Sequence, residues 1–250
     1  MEIGAVTTML RTGGAALLDL LLPRVCVACE RQLDAGEPGV VCGRCWSRLP
    51  VLPHPQCVRC GHPRPAGVPR PCKWCELLPP FVRAVRSVCW TTGTAQSIVH
   101  ALKYHGWRAA ADGMAERMAR LAWPADVLVE RAALVPVPLT PARERERGYN
   151  QSLLLARALA ARWNVRVLDK CLVRERAAAS QTRLTPDQRL RNVAGAFRAS
   201  AGPSDPLRGA HVVLVDDVVT TAATLGACAH ALFDGGARIV SCVTFARARA

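Results

Sequence analysis

Four Cys-x-x-Cys pairs limit what this chain can fold into more than any other feature of its sequence. They begin at Cys26, Cys42, Cys57 and Cys72 in a chain of 250 residues. One such pair places two thiolates on one face of a tetrahedron, and two pairs complete a closed site of four sulfurs, which favours structural zinc. The four pairs therefore predict two zinc ions.

The spacing of the pairs does not decide which pair joins which, because the gaps between them are twelve, eleven and eleven residues. The similarity of "RVCVACERQL" to "PQCVRCGHPR" indicates a duplicated ribbon and favours pairing in chain order, with crossed pairing as an open alternative. The favoured sites are Cys26, Cys29, Cys42 and Cys45 for one ion, and Cys57, Cys60, Cys72 and Cys75 for the other. Disulfides are a further alternative, which a cytoplasmic chain would not keep.

The segment that carries the pairs has few large aliphatic residues, so bound metal would supply much of its folding energy. We predict an amphipathic amino-terminal helix over 1–22, a double zinc ribbon over 23–80 and a larger domain over 81–250. We expect the ribbon and the larger domain to be stabilised separately, since metal holds one and an apolar core the other. The remaining cysteines stand in apolar patterns and are expected to be buried: Cys89, Cys171, Cys228 and Cys242.

The most apolar stretch near the amino terminus, "GAALLDLLLP", is too short to cross a bilayer and is interrupted by Asp19. It lacks a basic leader and a small-residue cleavage site, so it predicts a helix rather than a signal peptide. We therefore expect a cytoplasmic protein with no membrane span.

The stretch "VVLVDDVVTTAATL" at 212–225 combines an apolar run, two acids, three threonines and the start of a helical pattern. The run at 212–215 predicts a strand buried on both faces, followed by a loop over 216–224. A helix should follow and end at Gly235 and Gly236, before a second strand over 238–245. This is a strand, loop, helix, strand unit, in which a ligand binds beyond the carboxyl end of the strand.

The residues of this loop point to a sugar phosphate. The free N–H groups of a helix start bind phosphate, but Asp216 and Asp217 would repel it unless the ligand also carries donors such as ribose hydroxyls. The two acids would accept the 2′- and 3′-hydroxyls, and the following segment would hold the 5′-phosphate. That segment is Thr220, Thr221, Ala222, Ala223 and Thr224. The alternative is that these side chains only cap a helix.

The rest of the larger domain repeats the alternation of strands and helices. A helical pattern over 96–122 divides at Gly106, a strand begins at 133, and a helix follows from 149. The loop between them, "LTPARERERG", suits an anionic group through Arg143 and Arg147, although its glutamates make a solvated charge run equally consistent. The segment at 172–192 predicts a strand end and a long loop, of the kind that often closes over a site.

The chain is strongly basic, with a formal net charge of +14 and a pI near 9.9. Residues 138–198 carry thirteen Lys or Arg against five Asp or Glu. Polyanions are natural partners of such a chain, and compositional drift is the alternative, since aromatic residues are only 5% and no nucleic-acid motif is present. Two zinc sites with four thiolates each would lower the charge to about +10.

The stretch at 212–225 resembles the 5-phosphoribosyl-1-pyrophosphate (PRPP) binding loop of type I phosphoribosyltransferases, except that Ala222 stands where that family usually has glycine. Together with "ALKYHG", "VPVPLTPARERERGYNQS", "SQTRLTPDQRLRNVAGAF" and the cysteine pairs, it is similar to the ComF family of competence-associated proteins. The resemblance covers nearly the whole chain. It implies a parallel sheet flanked by helices, of the type I phosphoribosyltransferase kind, behind a small zinc-ribbon domain with four cysteines per ion.

The resemblance also implies PRPP binding and a role in the cytoplasmic handling of transforming single-stranded DNA. If the domain serves to bind rather than to catalyse, the zinc ribbons would be a docking surface for a helicase-like or DNA-processing partner. Mg²⁺ would accompany PRPP and bridge its pyrophosphate and ribose oxygens. Arg143, Arg147 and Lys103 are candidate contacts for the pyrophosphate. Two alternatives concern the same site: an active transferase that acts on an amine or base, and a PRPP sensor without catalysis.

Overall fold

A computed structural model describes residues 23–34, 36–64, 72–175, 195–200, 206–220 and 222–249. Five parallel strands form the main sheet in the order β1, β7, β6, β2, β3, and β4 and β5 form an antiparallel pair beside it. The strands are β1 (Val82–Trp90), β2 (Arg131–Pro136), β3 (Arg166–Val167), β4 (Leu172–Arg174), β5 (Phe197–Ala199), β6 (His211–Val219) and β7 (Ile239–Arg247). The predicted fold class, a parallel sheet flanked by helices, is confirmed.

Eight helices lie within the described residues. They are α1 (Gly43–Ser47), α2 (Lys73–Glu76), α3 (Gly93–Tyr104), α4 (Ala110–Ala119), α5 (Ala125–Glu130), α6 (Pro141–Arg147), α7 (Gln151–Trp163) and α8 (Ala222–Asp234). The predicted division of the pattern over 96–122 is confirmed, since Gly106 has a φ of +72° between α3 and α4. The predicted helix over 1–22 lies outside the described residues, as does the predicted long loop beyond 175.

The centre of the sheet is buried on both faces. In β6, Val212 and Leu214 face one apolar cluster with α8, and Val213 and Val215 face a second cluster with α3, α4 and α7. Side chains alternate between the faces of a strand, so a strand covered on both sides must be apolar throughout. The remaining cysteines are buried as expected, with exposed fractions of 0% for Cys89, Cys228 and Cys242 and 7% for Cys171.

Two predicted loops are shorter than the sequence indicated. The arginine-rich stretch at 139–148 contains helix α6 (Pro141–Arg147), because Thr140 accepts a hydrogen bond from the Arg143 N–H at 3.3 Å and Gly148 ends the helix with a left-handed backbone. Strand β6 continues past the two acids to Val219, because its pairing with β7 extends that far. The prediction of a loop over 216–224 was therefore wrong at its start, and only 220–221 separate β6 from α8.

The cysteine-bearing segment covers the β1 edge of the sheet. The link between its two halves runs beside this strand: Val51 forms a bridge with Cys89, and the Trp90 N–H donates to the Pro50 carbonyl at 2.8 Å. The side chain of Arg59 donates to the carbonyls of Cys75, Leu78, Pro79 and Val82. An open edge strand invites pairing with other chains, so this cover also protects the sheet.

The two halves of the segment lie on opposite faces of the sheet. Cys26, Cys42 and Cys45 belong to the apolar cluster that contains Val213, whereas Cys57 and Cys60 belong to the cluster that contains Leu214. The expectation of separate stabilisation is therefore not met, because each half completes a core of the larger domain. Within the described residues, no helix has the length and apolar character needed to cross a bilayer.

Candidate functional site

Two groups of four cysteines meet as predicted, in chain order rather than crossed. The four sulfurs of each group all lie within 4.8 Å of one another. The sulfur–sulfur distance is 3.8 Å for Cys29 and Cys42, 3.5 Å for Cys57 and Cys75, and 3.6 Å for Cys60 and Cys72. A disulfide needs about 2.05 Å, so the disulfide alternative is excluded for these eight residues in this structure.

The two groups fit structural zinc. Tetrahedral zinc with bonds of about 2.3 Å places its sulfur ligands about 3.8 Å apart, close to the distances observed. Burial opposes ionisation of Cys57, but hydrogen bonds from the N–H groups of Cys60 and Arg59 and from the neighbouring thiols together outweigh it and lower the pKa of this thiol to about 6, whereas burial raises the pKa of Cys60 and Cys75. A thiolate is the form that binds metal. Bound zinc would cross-link each ribbon. His62 is not needed as a ligand, because four cysteines complete each site, and its ring stacks on Trp74 with ring centroids 4.9 Å apart.

A second set of polar residues meets near the carboxyl end of β6, where Asp217 is 2% exposed. Its Oδ2 lies 2.5 Å from Lys103 Nζ, and its Oδ1 accepts from Gln151 Nε2 at 3.1 Å. Burial lowers the pKa of Lys103, but the charge and hydrogen bond of Asp217 together with the charge of Asp216 outweigh it, and the net pKa is raised. The structure thus places an ammonium group, held by a buried carboxylate, beside the predicted loop.

Asp216 has a different environment from its neighbour. Its Oδ1 accepts from the Ser152 hydroxyl at 2.8 Å and from the Asp217 N–H at 2.9 Å. Burial and the nearby charge of Asp217 raise the pKa of Asp216 to about 7, against the opposite effects of Lys103 and Ser152. Asp216 can therefore take up or release a proton near neutral pH, when a ligand changes its surroundings.

The segment after β6 leads directly into α8. Thr220 is exposed at the bend, Ala223 is buried and Thr224 is half-buried. Thr221 and the side chain of Ala222 lie outside the described residues. The first N–H groups of a helix have no partner within it, so the start of α8 presents donors close to the two acids.

The two candidate arginines of α6 differ in position. Arg147 lies 5.2 Å over the ring of Tyr104, the residue after Lys103. Arg147 also donates to the side chain of Gln151, which in turn contacts Asp217. The structure therefore links Arg147 with Lys103 and the acids. Arg143 is exposed at the start of the helix. A third arginine, Arg174, lies in β4. Burial lowers its pKa, and the positive charge of nearby Arg143 lowers it further.

The sequence analysis missed the start of α7 as part of this site. Asn150 caps this helix by accepting from the N–H groups of Ser152 and Leu153, which brings Gln151 and Ser152 over the end of β6. Tyr149 donates to the Leu102 carbonyl and so joins α7 to α3. The available signal was a run of polar residues at a helix start after a buried strand, where parallel sheets place their ligands.

Comparison with known proteins agrees with both parts of the structure. Residues 17–76 match the model of the double zinc ribbon domain. Residues 150–250 match the model of the phosphoribosyl transferase domain.

Relatives match most of this chain, across both of its parts. The chain is 33% identical to the DNA utilization protein YhgH of Salmonella typhi, over 88% of this chain and 96% of that protein. It is 30% identical to the protein of the same name from Shigella flexneri, with the same coverage. It is 26% identical to competence protein ComFC of Bacillus subtilis, over 83% of this chain and 84% of that protein. This chain therefore belongs to the ComF family, in which a double zinc ribbon precedes a phosphoribosyltransferase domain.

Proposed function

We propose that this chain binds PRPP between β6 and the start of α8, and that it acts in the cytoplasmic handling of transforming single-stranded DNA. The observation that carries the proposal is the position of Asp216 and Asp217, immediately before a helix start that offers free N–H groups. The names of the relatives, which refer to DNA utilization and competence, support the second part.

The contacts of the two acids suggest different roles in PRPP binding. Asp217 is buried and already engaged on both oxygens, so it would position Lys103 rather than meet the sugar. Asp216 is more open and would accept the ribose hydroxyls. The segment from Thr220 to Thr224 would hold the 5′-phosphate, and Lys103 and Arg147 would lie toward the pyrophosphate. Mg²⁺ with PRPP would neutralise part of the pyrophosphate charge.

A transferase activity at this site would break the bond between the anomeric carbon and the pyrophosphate oxygen and form a bond from that carbon to an acceptor nitrogen. The leaving pyrophosphate takes the electron pair, and the acceptor nitrogen loses a proton. Cationic groups near the pyrophosphate would stabilise the charge that develops on it. Pyrophosphate release with a panel of amines and bases distinguishes this alternative from a sensor, which binds PRPP without releasing pyrophosphate.

Replacing Asp216 tests the PRPP site. We expect Asp216→Asn to weaken PRPP about 10-fold or more in calorimetry with Mg²⁺, because charge-assisted hydrogen bonds contribute about 1.5–3 kcal/mol each. Asp112→Asn, an exposed acid paired with Arg162 on the surface, is the matched control and should bind as the unaltered chain does. Equal affinity in both variants would mean that the acids and threonines only cap α8.

The pH dependence of the same variant adds a second readout. The raised pKa of Asp216, about 7 against an ordinary 3.8, means that the folded chain holds a proton that the unfolded chain has lost. Stability of the ligand-free chain should therefore fall as pH rises from about 4 to 7. PRPP binding needs the ionised carboxylate, so the affinity for PRPP should rise as the pH rises through about 7. Both dependences should weaken in Asp216→Asn, and an unchanged profile would contradict the assignment.

A surface beside the site supports binding of single-stranded DNA. Tyr104, the last residue of α3, is 64% exposed, and Trp107, three residues after the helix, is 39% exposed. Arg147 stacks on Tyr104, and Arg108 lies nearby, 4.6 Å over Tyr149. Proteins that bind single strands combine aromatic rings, on which bases stack, with cations for the backbone. We call Tyr104, Trp107, Arg108 and Arg147 the aromatic-basic surface.

Tyr104 is the residue that tests this surface. We expect Tyr104→Ala to weaken binding of an oligothymidine about 5-fold or more, since each stacked base contributes about 1–3 kcal/mol. Tyr104→Phe keeps the ring and should bind normally. Arg147→Gln should instead reduce the dependence of binding on salt, because a phosphate contact releases counterions. Fluorescence anisotropy over a range of salt concentrations measures both effects, and equal binding by Tyr104→Ala and Tyr104→Phe would exclude stacking on this ring.

A further inference from the structure

Arg247 is a buried charge at the carboxyl end of β7, and it lies between the second cysteine site and the proposed phosphate-binding segment. It is 4% exposed. Its register partner in β6 is Val219, the last residue before Thr220, and the Val219 carbonyl accepts from the Ala248 N–H at 2.8 Å. The backbone at Arg247 is thus tied directly to the point where the proposed site begins.

The guanidinium group of Arg247 points to the second cysteine site. Its Nη2 donates to the carbonyl of Cys60 at 2.6 Å. Its Nε has no hydrogen-bond partner among the described residues. A buried cation needs compensating negative charge, and a zinc ion with four thiolates carries a net charge of −2. The metal-loaded second site would therefore stabilise Arg247 in this position.

A narrow cavity joins the same two regions. It is lined from the ribbon by Cys60, Trp74 and Leu78, and from the proposed site by Val219, Thr220, Leu225 and Arg247. The ribbon also faces the first turns of α8, because Leu78 and Pro79 line a second cavity together with Ala223 and Gly226. The second ribbon therefore forms part of the support for the start of α8.

The first cysteine site has no equivalent connection within the described part of the chain. Its ribbon packs on the other face of the sheet, where Trp46 meets Phe245 with ring centroids 6.2 Å apart and Arg117 lies 3.7 Å over Trp46. The two cysteine sites thus support different faces of the sheet, although each consists of four cysteines.

We propose that Arg247 is a positioning residue that couples metal in the second cysteine site to the phosphate-binding segment, so that this site and PRPP stabilise each other while the first site does not take part. This inference rests on the proposed function, because it assumes that the segment after β6 binds PRPP. Coupling between two ligands is reciprocal, so each ligand can be used to test the other.

The variants Arg247→Met and Arg247→Lys test the coupling, with Arg117→Met as a matched control at the first ribbon. Zinc release to a chromogenic chelator is followed in time, and a Cys72→Ser variant identifies the phase that belongs to the second site. We expect Arg247→Met to release second-site zinc about tenfold faster and to bind PRPP about tenfold more weakly by calorimetry. Arg247→Lys should lie between, and Arg117→Met should change neither second-site release nor PRPP affinity.

The reciprocal experiment needs no variant and decides the question even where Arg247→Met does not fold. Saturating PRPP with Mg²⁺ should slow zinc release from the second site of the unaltered chain and leave the first-site phase unchanged. Equal protection of both sites, or of neither, overturns the coupling, as does unaltered PRPP affinity in Arg247→Met. An unaltered chain that binds no PRPP contradicts the proposed function itself, which is a different result from PRPP binding without protection.

Discussion

Loss of the first zinc site is expected to destabilise the whole chain and not only its ribbon. Cys42→Ser should lower the Tm by about 10 °C, because a structural zinc ligand contributes several kcal/mol and each kcal/mol shifts the Tm of a chain of this size by about 2–4 °C. The effect should reach the sheet, since Cys42 is 0% exposed within the same apolar cluster as Val213 and Phe245.

A buried cysteine outside both groups provides the control. Cys171 is 7% exposed, and its thiol donates to the Leu168 carbonyl at 3.3 Å, a contact that serine can retain. Cys171→Ser should keep about two zinc ions per chain and most of its stability, whereas Cys42→Ser should keep about one. Thermal unfolding followed by far-UV circular dichroism, together with metal analysis, measures both quantities. A loss confined to the ribbon, with an unchanged sheet transition, would contradict the shared core.

Asp217→Asn is expected to lower the free energy of unfolding by about 3–5 kcal/mol, because it leaves the buried ammonium of Lys103 without its counter-ion. Burial lowers the pKa of Lys103, and the charge and hydrogen bond of Asp217 are the largest of the effects that raise it. In the variant, the pKa of Lys103 in the folded chain should fall below that in the unfolded chain. The unfolded chain then binds more protons, so the stability of the variant should rise with pH above neutrality.

A double variant separates the ion pair from the site it serves. Asp217→Asn with Lys103→Met removes both charges and should regain most of the stability lost in the single variant, because no unpaired charge stays buried. Its PRPP affinity should nevertheless stay low, since Lys103 is proposed to lie toward the pyrophosphate. Urea unfolding and calorimetry give the two quantities. A single Asn variant as stable as the unaltered chain would show that the pair contributes nothing to folding.

The sequence predicted most of the local structure because its signals are local. The apolar run at 212–215 and the spacing of residues after it were sufficient for a strand followed by a helix, and Gly106 marked the break between α3 and α4. Helix-capping residues were harder to recognise from the sequence. Thr140 and Gly148 are ordinary helix caps, but the charged residues between them suggested a loop, and α6 was missed.

The candidate site was predicted in part, since Asp216, Asp217 and Lys103 are brought together and the start of α8 follows them. Ser152, Gln151 and Arg247 were not predicted as neighbours of this site. Arg247 is polar at the end of an otherwise apolar strand, and Gln151 and Ser152 belong to a polar run at a helix start. Such residues can face solvent, a ligand or another buried group. The choice depends on elements that are distant in the sequence.

By itself, the sequence determined the eight cysteine ligands, the strand and helix around the acids, and the basic character of the chain, because these depend on residue type and short spacing, whereas the structure decided that the cysteine pairs join in chain order. Only the tertiary structure decided that the ribbons lie on opposite faces of one sheet, that Asp217 holds Lys103, and that Arg247 connects the second ribbon to the start of the proposed site. These contacts join residues far apart in the chain, and their geometry follows from packing around a shared core, which no local pattern encodes.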